Sequence, residues 1–311
     1  MDSISLSVGI DVSKDRLDVC IGSGKPFSVP NTPEGAERLA GLVPAGAVAF
    51  LEASGGYERA VRRVLRSHGI QVRTLDPLKV RRMAQAQGRR AKTDALDAQH
   101  LAAHGAALVA LAPKSECREA LAEVSRAIEK FQETVRSLKK QQLGTVDPQV
   151  RACREAVVQT ILAQVRQLES AFEQAVKKSP LAERHRLARS VPGVGPVLAR
   201  ILVCELPEDL DAFSTSRLAA YAGLAPMDDQ SGKKNAPRRI RRGCVRLKAA
   251  LYMPACGLVR HQPWAKALYD KLRAKGKAHQ QAAVALMRRL LVRALAVLKR
   301  GSPWTKEPEY A

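Results

Sequence analysis

The stretch Ser7-Val8-Gly9-Ile10-Asp11-Val12-Ser13 is a short apolar run that carries an acid near its end. A second run of this kind, Val48-Ala49-Phe50-Leu51-Glu52, also ends in an acid. Short apolar runs with polar boundaries predict buried strands, so both acids are expected near strand ends. Two more acids, Asp94 and Asp97, are three residues apart in a helical stretch and therefore share one helix face.

Four acids that meet in one fold repel one another, and a divalent cation relieves that repulsion. Oxygen ligands favour Mg²⁺ or Mn²⁺. Each acid alone has a plain structural explanation. Asp11 suits a turn cap and Glu52 a strand end in solvent. Asp94 and Asp97 suit a helix start, where the dipole favours negative charge. The combined pattern favours a metal centre in which all four acids are ligands.

Around these acids, residues 1–112 are predicted to form a small α/β domain. The Asn31-Thr32-Pro33-Glu34 segment marks a helix start, with a capping side chain followed by Pro and Glu in the first turn. The whole order is β-β-β-α-β-α-β-α, which predicts a mixed sheet covered by helices. Strands are expected at 6–12, 16–21, 26–29, 47–51 and 70–75, and helices at 31–42, 56–68, 78–86 and 93–103.

The charge of the chain restricts its partners. Its 311 residues are enough for two domains, and 52 Lys and Arg against 30 Asp and Glu give a formal net charge of +22. This surplus indicates a polyanion, and nucleic acid is favoured over a membrane because the charge is spread over whole domains. The sequence has no apolar run of transmembrane length and no signal-peptide pattern. Its six cysteines do not have the spacing of a zinc site. A cytoplasmic, nucleoid-associated protein is therefore expected.

Residues 113–181 are predicted to form an antiparallel helical hairpin. Two apolar series have the 3-4 spacing of a coiled-coil seam, and Gly144-Thr145-Val146-Asp147-Pro148 breaks the helix between them. The seam is satisfied either within one hairpin or by another subunit, and we expect dimerisation or higher assembly. The two series are Leu121, Val124, Ile128, Phe131, Val135 and Leu138, then Val158, Ile161, Val165, Leu168, Phe172 and Ala175.

Residues 182–300 are predicted to form a basic, mostly helical domain, followed by a disordered tail at 301–311. From Arg184 to the end, 25 bases face 9 acids. The Ser190-Val191-Pro192-Gly193-Val194-Gly195-Pro196 turn resembles a helix-hairpin-helix element, in which Gly193 and Gly195 let the backbone approach a phosphate. The alternative is a tight turn without a ligand. A core helix at 279–298 is expected to direct Arg288, Arg289 and Arg293 to solvent or phosphate.

Two further groups of bases are candidates for binding a nucleic-acid backbone. Each is either a solvated basic surface or a phosphate clamp, and the clamp is favoured. The second group holds eight bases and no acid, and its first half is expected to be an extended polar loop. The groups are Arg81, Arg82, Arg89, Arg90 and Lys92, then Lys233, Lys234, Arg238, Arg239, Arg241, Arg242, Arg246 and Lys248.

Several motifs together resemble the DEDD-type transposases, also known as Piv-like site-specific recombinases. The N-terminal motifs are Gly-Ile-Asp-Val-Ser-Lys at 9–14, Glu-Ala-Ser-Gly-Gly-Tyr at 52–57 and Lys-Thr-Asp-Ala-Leu-Asp-Ala at 92–98. The C-terminal ones are Tyr-Ala-Gly-Leu-Ala-Pro at 221–226, Gln-Ser-Gly at 230–232 and Ala-Leu-Tyr-Met-Pro-Ala at 250–255.

This resemblance implies a ribonuclease H-like (RuvC-like) N-terminal domain, an antiparallel coiled-coil insertion that joins subunits, and a C-terminal transposase domain. It implies that Ser231 is the nucleophile, which the local pattern alone identifies only weakly. It also implies a homodimer or homotetramer and, as in some relatives, a structured bridge RNA as partner. Asp228 and Asp229 depart from the family pattern, because relatives often carry bases there.

The expected activity is DNA cutting and rejoining through a covalent phosphoserine, with one or two Mg²⁺ ions at the four acids. Two alternatives stay open. One is a RuvC-like nuclease, in which the acids activate water and Ser231 is incidental. The other is a basic, non-catalytic nucleic-acid-binding protein, which the four acids disfavour because they repel phosphates unless a metal is bound.

Overall fold

A computed structural model describes residues 6–87, 94–108, 115–211, 213–231, 234–240 and 243–305, and for 94–95, 227–231 and 234–239 the backbone only. The chain divides into two compact units, Met1–Pro113 and Lys114–Ala311. Among the residues described, no helix is both long and apolar enough to cross a membrane.

The first unit is a mixed α/β sheet structure. The predicted order of elements is confirmed, with bounds that differ by a residue or two. The elements are β1 (Ser7–Val12), β2 (Arg16–Ile21), β3 (Phe27–Pro30), α1 (Pro33–Leu42), β4 (Val48–Glu52), α2 (Glu58–Ser67), β5 (Gln71–Leu75), α3 (Pro77–Ala86) and α4 (Asp94–His104).

The five strands form one sheet in the order β3-β2-β1-β4-β5. The β1–β2 and β2–β3 pairs are antiparallel, whereas β1–β4 and β4–β5 are parallel. Strand β1 therefore lies at the centre, and this order is compatible with the ribonuclease H-like fold. The side chains of successive residues in a strand point to opposite faces of the sheet. One face packs on α1 and α2 through Val8, Ile10, Leu51, Leu39 and Val61.

The second unit begins with two long helices, α5 (Glu116–Gln142) and α6 (Pro148–Lys177), which pack side by side as a hairpin. The predicted break between them is confirmed, and Asp147 caps α6 by accepting hydrogen bonds from the Gln149 and Val150 amides at 2.8 and 3.0 Å. One prediction was wrong at the end of the seam. Ala175 is exposed and Val176 is buried, because α6 turns that neighbouring position towards the core.

The rest of the second unit is helical apart from one two-stranded ribbon. Its core gathers Leu198, Leu202, Leu251, Leu258 and Leu290. The elements are α7 (Ala182–Ser190), α8 (Pro196–Glu205), α9 (Thr215–Tyr221), β6 (Pro226–Ser231), β7 (Lys234–Ile240), α10 (Val245–His261), α11 (Pro263–Ala274) and α12 (His279–Arg300).

Two expectations for this unit were wrong. The segment from Lys234 to Ile240 is not a loop but a strand, because it pairs with β6. The start of the tail is also ordered: Trp304 packs against the core, and its backbone amide donates a hydrogen bond to the Ser190 hydroxyl at 2.9 Å. The stretch 306–311 lies outside the described residues.

Candidate active site

Asp11 and Glu52 occupy neighbouring positions at the carboxyl ends of the two central strands. The parallel register pairs Ile10 with Leu51, so the next residue on each strand is one of these acids. Aligned residues of parallel strands point to the same face. Ile10 and Leu51 are buried against α1 and α2, so both acids take the opposite face, where each is half-buried.

Helix α4, which begins at Asp94 and carries Asp97, covers that opposite face. Gly9 makes the approach possible, since a Cβ there would lie 2.0 Å from the Ala98 carbonyl oxygen and 2.3 Å from the Ala102 amide nitrogen. Asp97, which is half-buried, directly precedes Ala98. Asp94 is the first residue of the helix, and its side chain is outside the described part of the chain.

The loop after Glu52 is shaped by a second acid that the sequence reasoning missed. The Glu58 carboxylate is buried and accepts hydrogen bonds from the Ser54 amide at 3.2 Å and the Gly56 amide at 2.9 Å. Gly55 and Gly56 have φ of +71° and +113°, a region that favours glycine. An acid two residues after a Gly-Gly pair was the available signal for this closed loop.

The loops that follow the two acid-bearing strands are tied together by Asn31. Its side-chain amide donates to the Ser13 carbonyl at 2.8 Å and to the Tyr57 carbonyl at 3.3 Å. The helix cap is the neighbouring Thr32, whose hydroxyl accepts from the Gly35 amide at 3.2 Å. Asn31 therefore fixes the surroundings of Asp11 and Glu52 and leaves the capping to Thr32.

Another missed acid, Asp18, lies beside Asp11. The antiparallel register of β1 and β2 pairs the two residues, so their side chains share a face. Asp18 is buried, and its partners are the Arg16 guanidinium at 2.8 Å and the Ser28 hydroxyl. These contacts explain Asp18 as a satisfied structural acid, which the sequence alone did not separate from Asp11.

The donors at this face suit a hard divalent cation. Asp11, Glu52 and Asp97 offer only carboxylate oxygens, and such sites select Mg²⁺ or Mn²⁺ over Zn²⁺. Among the described side chains, no group of three or more His, Cys, Asp or Glu residues is placed to hold a metal ion. The Asp94 side chain lies outside that description, so a metal site formed by all four acids stays a prediction.

Ser231 is the last residue of β6. It pairs with Lys234, the first residue of β7, so the ribbon closes directly beyond the serine. Gly232 and Lys233 lie outside the described residues. The pairing shifts between Met227 and Asp229, an irregularity in the stretch where the chain departs from the family pattern.

The base of this ribbon is tightly packed. Gly243 has a φ of +89°, and a Cβ there would lie 2.2 Å from the backbone nitrogen of Gly223. The Cys244 amide donates to the Tyr221 carbonyl at 2.8 Å. The Tyr221 hydroxyl in turn donates to the Glu205 carbonyl at 2.7 Å, and burial raises the pKa of this tyrosine to about 12. Both ends of the ribbon therefore leave from one fixed point.

The predicted nucleic-acid-binding bases are placed only in part. Arg81 and Arg82 are exposed on α3, and Arg288 and Arg289 are exposed on α12, as predicted. For the bases on β7, which are Lys234, Arg238 and Arg239, only the backbone is described. Arg89, Arg90, Lys92, Lys233, Arg241 and Arg242 lie outside the described residues.

Gly193 and Gly195 lie in the turn between α7 and α8. Gly193 has a φ of +90°, and a Cβ there would meet the Leu258 side chain at 2.8 Å, so packing alone accounts for this glycine. Gly195 is the residue before α8, and no side chain caps that helix start. The amides of the first turn of α8 are thus left without a side-chain cap, as a phosphate contact requires.

The predictions for two bases were wrong. Arg246 does not offer a free guanidinium to a nucleic-acid backbone, because it is paired with the Glu129 and Glu205 carboxylates. Arg293 does not reach solvent or phosphate, because it is buried and its guanidinium lies 3.4 Å from the centre of the Trp264 ring. Cation–π stacking of this kind stabilises the interior of the helical unit. Arg118 and Arg184 are likewise used internally, and donate to the Cys204 and Pro207 carbonyls at 3.0 and 2.7 Å. Part of the basic surplus is therefore structural.

Two parts of the chain match models of known protein families. A DEDD-type transposase model of the IS110 group matches residues 8–148, and a second model, described as "Transposase IS116/IS110/IS902 family", matches residues 185–270. The chain belongs to this transposase family. The two matches cover both the strands that carry the acids and the ribbon that carries Ser231.

Relatives extend this assignment along the whole chain. The "Pilin gene-inverting protein" of Moraxella bovis is 26% identical over 96% of this chain and 97% of the relative. The "Insertion element IS110 uncharacterized 43.6 kDa protein" of Streptomyces coelicolor is 31% identical over 51% of this chain and 38% of the relative. A transposase of this family is a DNA recombination enzyme, so DNA is its substrate.

Proposed function

We propose that the protein is an insertion-sequence transposase that cuts and rejoins DNA through a covalent link to Ser231, with divalent metal held by Asp11, Glu52, Asp94 and Asp97. The observation that carries this proposal is the register of β1 and β4. It aligns two carboxylates on one sheet face and leaves them under the helix that begins with the other two.

In the proposed reaction, the Ser231 oxygen forms a bond to the phosphorus of a DNA phosphodiester while the bond from phosphorus to one deoxyribose oxygen breaks. The serine proton passes to solvent or a base, and the released deoxyribose oxygen takes up a proton. A DNA hydroxyl then attacks the phosphoserine and releases the serine, which restores the phosphodiester. Because the phosphoester bond is kept, no ATP is consumed.

A bound Mg²⁺ would supply Lewis-acid polarisation of the phosphate and stabilise the leaving oxygen. The chain itself provides the frame for this chemistry. Glu58 and Asn31 hold the loops after the two acid-bearing strands, and Asp18 is already neutralised by Arg16. One or two ions fit four carboxylates, and Mn²⁺ shares the same oxygen preference.

We also propose a homodimer or homotetramer joined through α5 and α6 acting as a coiled coil. In each helix only every second seam residue is buried, at intervals of seven positions. The intervening residues are half-buried or exposed, with Phe131 39% exposed. At the end of the hairpin, Leu143 and Val146 are each 89% exposed. Apolar side chains left in this way favour a second helical hairpin as partner.

Nucleic acid is expected to contact Arg81, Arg82 and the uncapped start of α8, together with the bases of the ribbon and of the 88–93 stretch. A structured bridge RNA that selects the DNA target is proposed as a further partner, on the strength of the resemblance and the net charge of +22. Sequencing of RNA cross-linked to the protein, expressed with its native flanking DNA, tests this part. Recovery of random cellular RNA would contradict it.

The central experiment uses end-labelled DNA and denaturing gels that separate free strands from protein-linked strands. Ser231→Ala should abolish the protein–DNA adduct, whereas Ser216→Ala, at an exposed serine of the same unit, should retain it. If Ser231→Ala still cleaves and leaves free ends, the protein is a hydrolytic nuclease. Full activity after Asp11→Ala and Glu52→Ala would contradict both enzymatic readings.

A further inference from the structure

One arginine joins three elements directly below the ribbon. Arg246 is the second residue of α10, three residues after Gly243. Its Nε and Nη2 donate to the two Glu129 oxygens at 2.9 and 2.6 Å, which is a two-bond fork. Nη2 also reaches the Ser125 hydroxyl at 3.0 Å, and Nη1 binds the Glu205 carboxylate. We call these four residues the Arg246 cluster.

The cluster is largely shielded from solvent. Ser125 and Glu205 are buried, and the Arg246 side chain is 22% exposed. Burial lowers the pKa of Arg246, but the hydrogen bonds that it donates to Glu129 and the nearby Glu205 charge outweigh burial, and the pKa is raised. Charge-assisted forks are the strongest side-chain hydrogen bonds, so the geometry of this cluster is well determined.

The three elements joined by the cluster have different tasks. Ser125 and Glu129 lie on α5 of the hairpin, and Glu205 is the last residue of α8. The Glu205 carbonyl also accepts a hydrogen bond from the Tyr221 hydroxyl. The Tyr221 carbonyl accepts one from the Cys244 amide, which follows the ribbon in the chain. Both ends of the ribbon are therefore connected to the hairpin through Glu205 and Arg246.

We infer that Arg246 is a positioning residue for strand cleavage. The cluster transmits the position of the hairpin to the base of the ribbon, and thereby sets where Ser231 presents its hydroxyl. This inference rests on the proposed role of Ser231. An arginine is needed because its planar fork fixes direction as well as charge, which a lysine ammonium does not.

The test measures single-turnover adduct formation at saturating DNA, together with DNA affinity and thermal melting. Arg246→Lys should slow adduct formation by at least about tenfold while DNA affinity changes by less than about twofold, since only orientation is lost. Glu129→Gln should slow it in the same way but less. The double variant should be no slower than Arg246→Lys alone, because both changes act through one contact.

Arg293→Lys is the matched control. It changes a buried arginine of the same unit that stacks on Trp264, so it should lower the melting temperature and leave the adduct rate unchanged. A merely structural role for Arg246 would make the two lysine variants alike.

Wild-type adduct rates in folded Arg246→Lys and Glu129→Gln would overturn the inference while leaving Ser231 as the nucleophile. If Arg246→Lys does not fold, Glu129→Gln decides, since it replaces one oxygen by an amide on a helix surface. If instead Ser231→Ala still forms the adduct, the proposed function fails, and this is seen before the cluster variants are read.

Discussion

The acids of the first unit and the serine of the second are held by opposite means. Asp11 and Glu52 lie on the two central strands of a five-stranded sheet, where backbone register sets their spacing. Ser231 lies at the far end of a ribbon whose two strands, in the part of the chain that is described, pair only with each other. The acids are positioned by their own neighbours, whereas the serine is positioned by contacts at the ribbon base.

This difference indicates which substitutions should disturb the acids and which should disturb the serine. A substitution that disturbs the acids must act at the sheet or at the helix packed on it. A substitution that disturbs the serine acts at a distance, at Gly243 or in the Arg246 cluster. Four comparisons, three of them with a matched control on the same unit, test that distinction.

The largest effect is expected for Glu52→Gln. Loss of one metal-binding carboxylate should reduce DNA cleavage at least about a thousandfold, since metal stabilisation is worth several kcal/mol, with thermal melting unchanged. The control is Glu58→Gln, which weakens two hydrogen bonds to loop amides and should lower unfolding free energy by about 1 kcal/mol while part of the cleavage survives. If Glu52→Gln and Glu58→Gln were equally stable and equally inactive, Glu58 would instead be assigned as a metal ligand.

The next largest effect is expected for Gly9→Ala. Its Cβ would be placed 2.0 Å from the Ala98 oxygen, and backbone atoms cannot move aside as a side chain can. Helix α4 should be displaced, at a cost of about 3 kcal/mol in unfolding free energy by chemical denaturation, with cleavage lost as well. Gly41→Ala, which meets nothing within 4 Å on α1, should instead be neutral or slightly stabilising. Similar stabilities for the two would show that α4 does not rest on β1.

A smaller loss of activity is expected for Gly243→Ala. Gly243 has a φ of +89°, and an added Cβ would lie 2.2 Å from the Gly223 backbone. Gly276 has a φ of +74°, and an added Cβ there would meet nothing within 4 Å. Gly276→Ala should cost about 1 kcal/mol for the left-handed conformation alone. Gly243→Ala should cost about 2 kcal/mol more and slow adduct formation, measured by denaturation and on the same gels. An unaffected adduct rate would separate the ribbon base from catalysis.

The smallest effect concerns pH. Burial raises the pKa of Glu129, but hydrogen bonds from Arg246 and Ser125 outweigh it and the pKa is lowered from 4.5. A carboxylate whose pKa is lowered in the folded state stabilises the protein at pH values above its unfolded-state pKa. That stabilisation is lost as the pH falls through the folded-state pKa. The wild type should therefore melt about 2–4 °C above Glu129→Gln at pH 7, and the gap should close below pH 4.5. A gap that persists at pH 3 would assign the difference to packing.

Much of the fold was predictable from local pattern. The apolar runs around Ile10 and Leu51, the Pro at the starts of α1 and α6, and the break before Pro148 act within a few residues, so they identify strands, caps and turns directly. The motifs also predicted Asp11, Glu52, Asp94 and Asp97 as metal ligands, and that assignment stays a prediction. What failed was of another kind: Lys234–Ile240 became a strand only by pairing, and Arg293 became buried only because Trp264 lies above it.

By itself, the sequence determined which residues form strands and helices, the basic charge and the transposase family, because these depend on composition and on neighbours along the chain. The tertiary structure alone decided that Asp18 is neutralised while Asp11 sits beside Glu52, and that Arg246 joins the hairpin to the ribbon base. Register and long-range pairing decide such roles, since contacts between residues 117 positions apart leave no local pattern. The four acids are recognisable in the chain, but the common face of Asp11 and Glu52 exists only in the folded sheet.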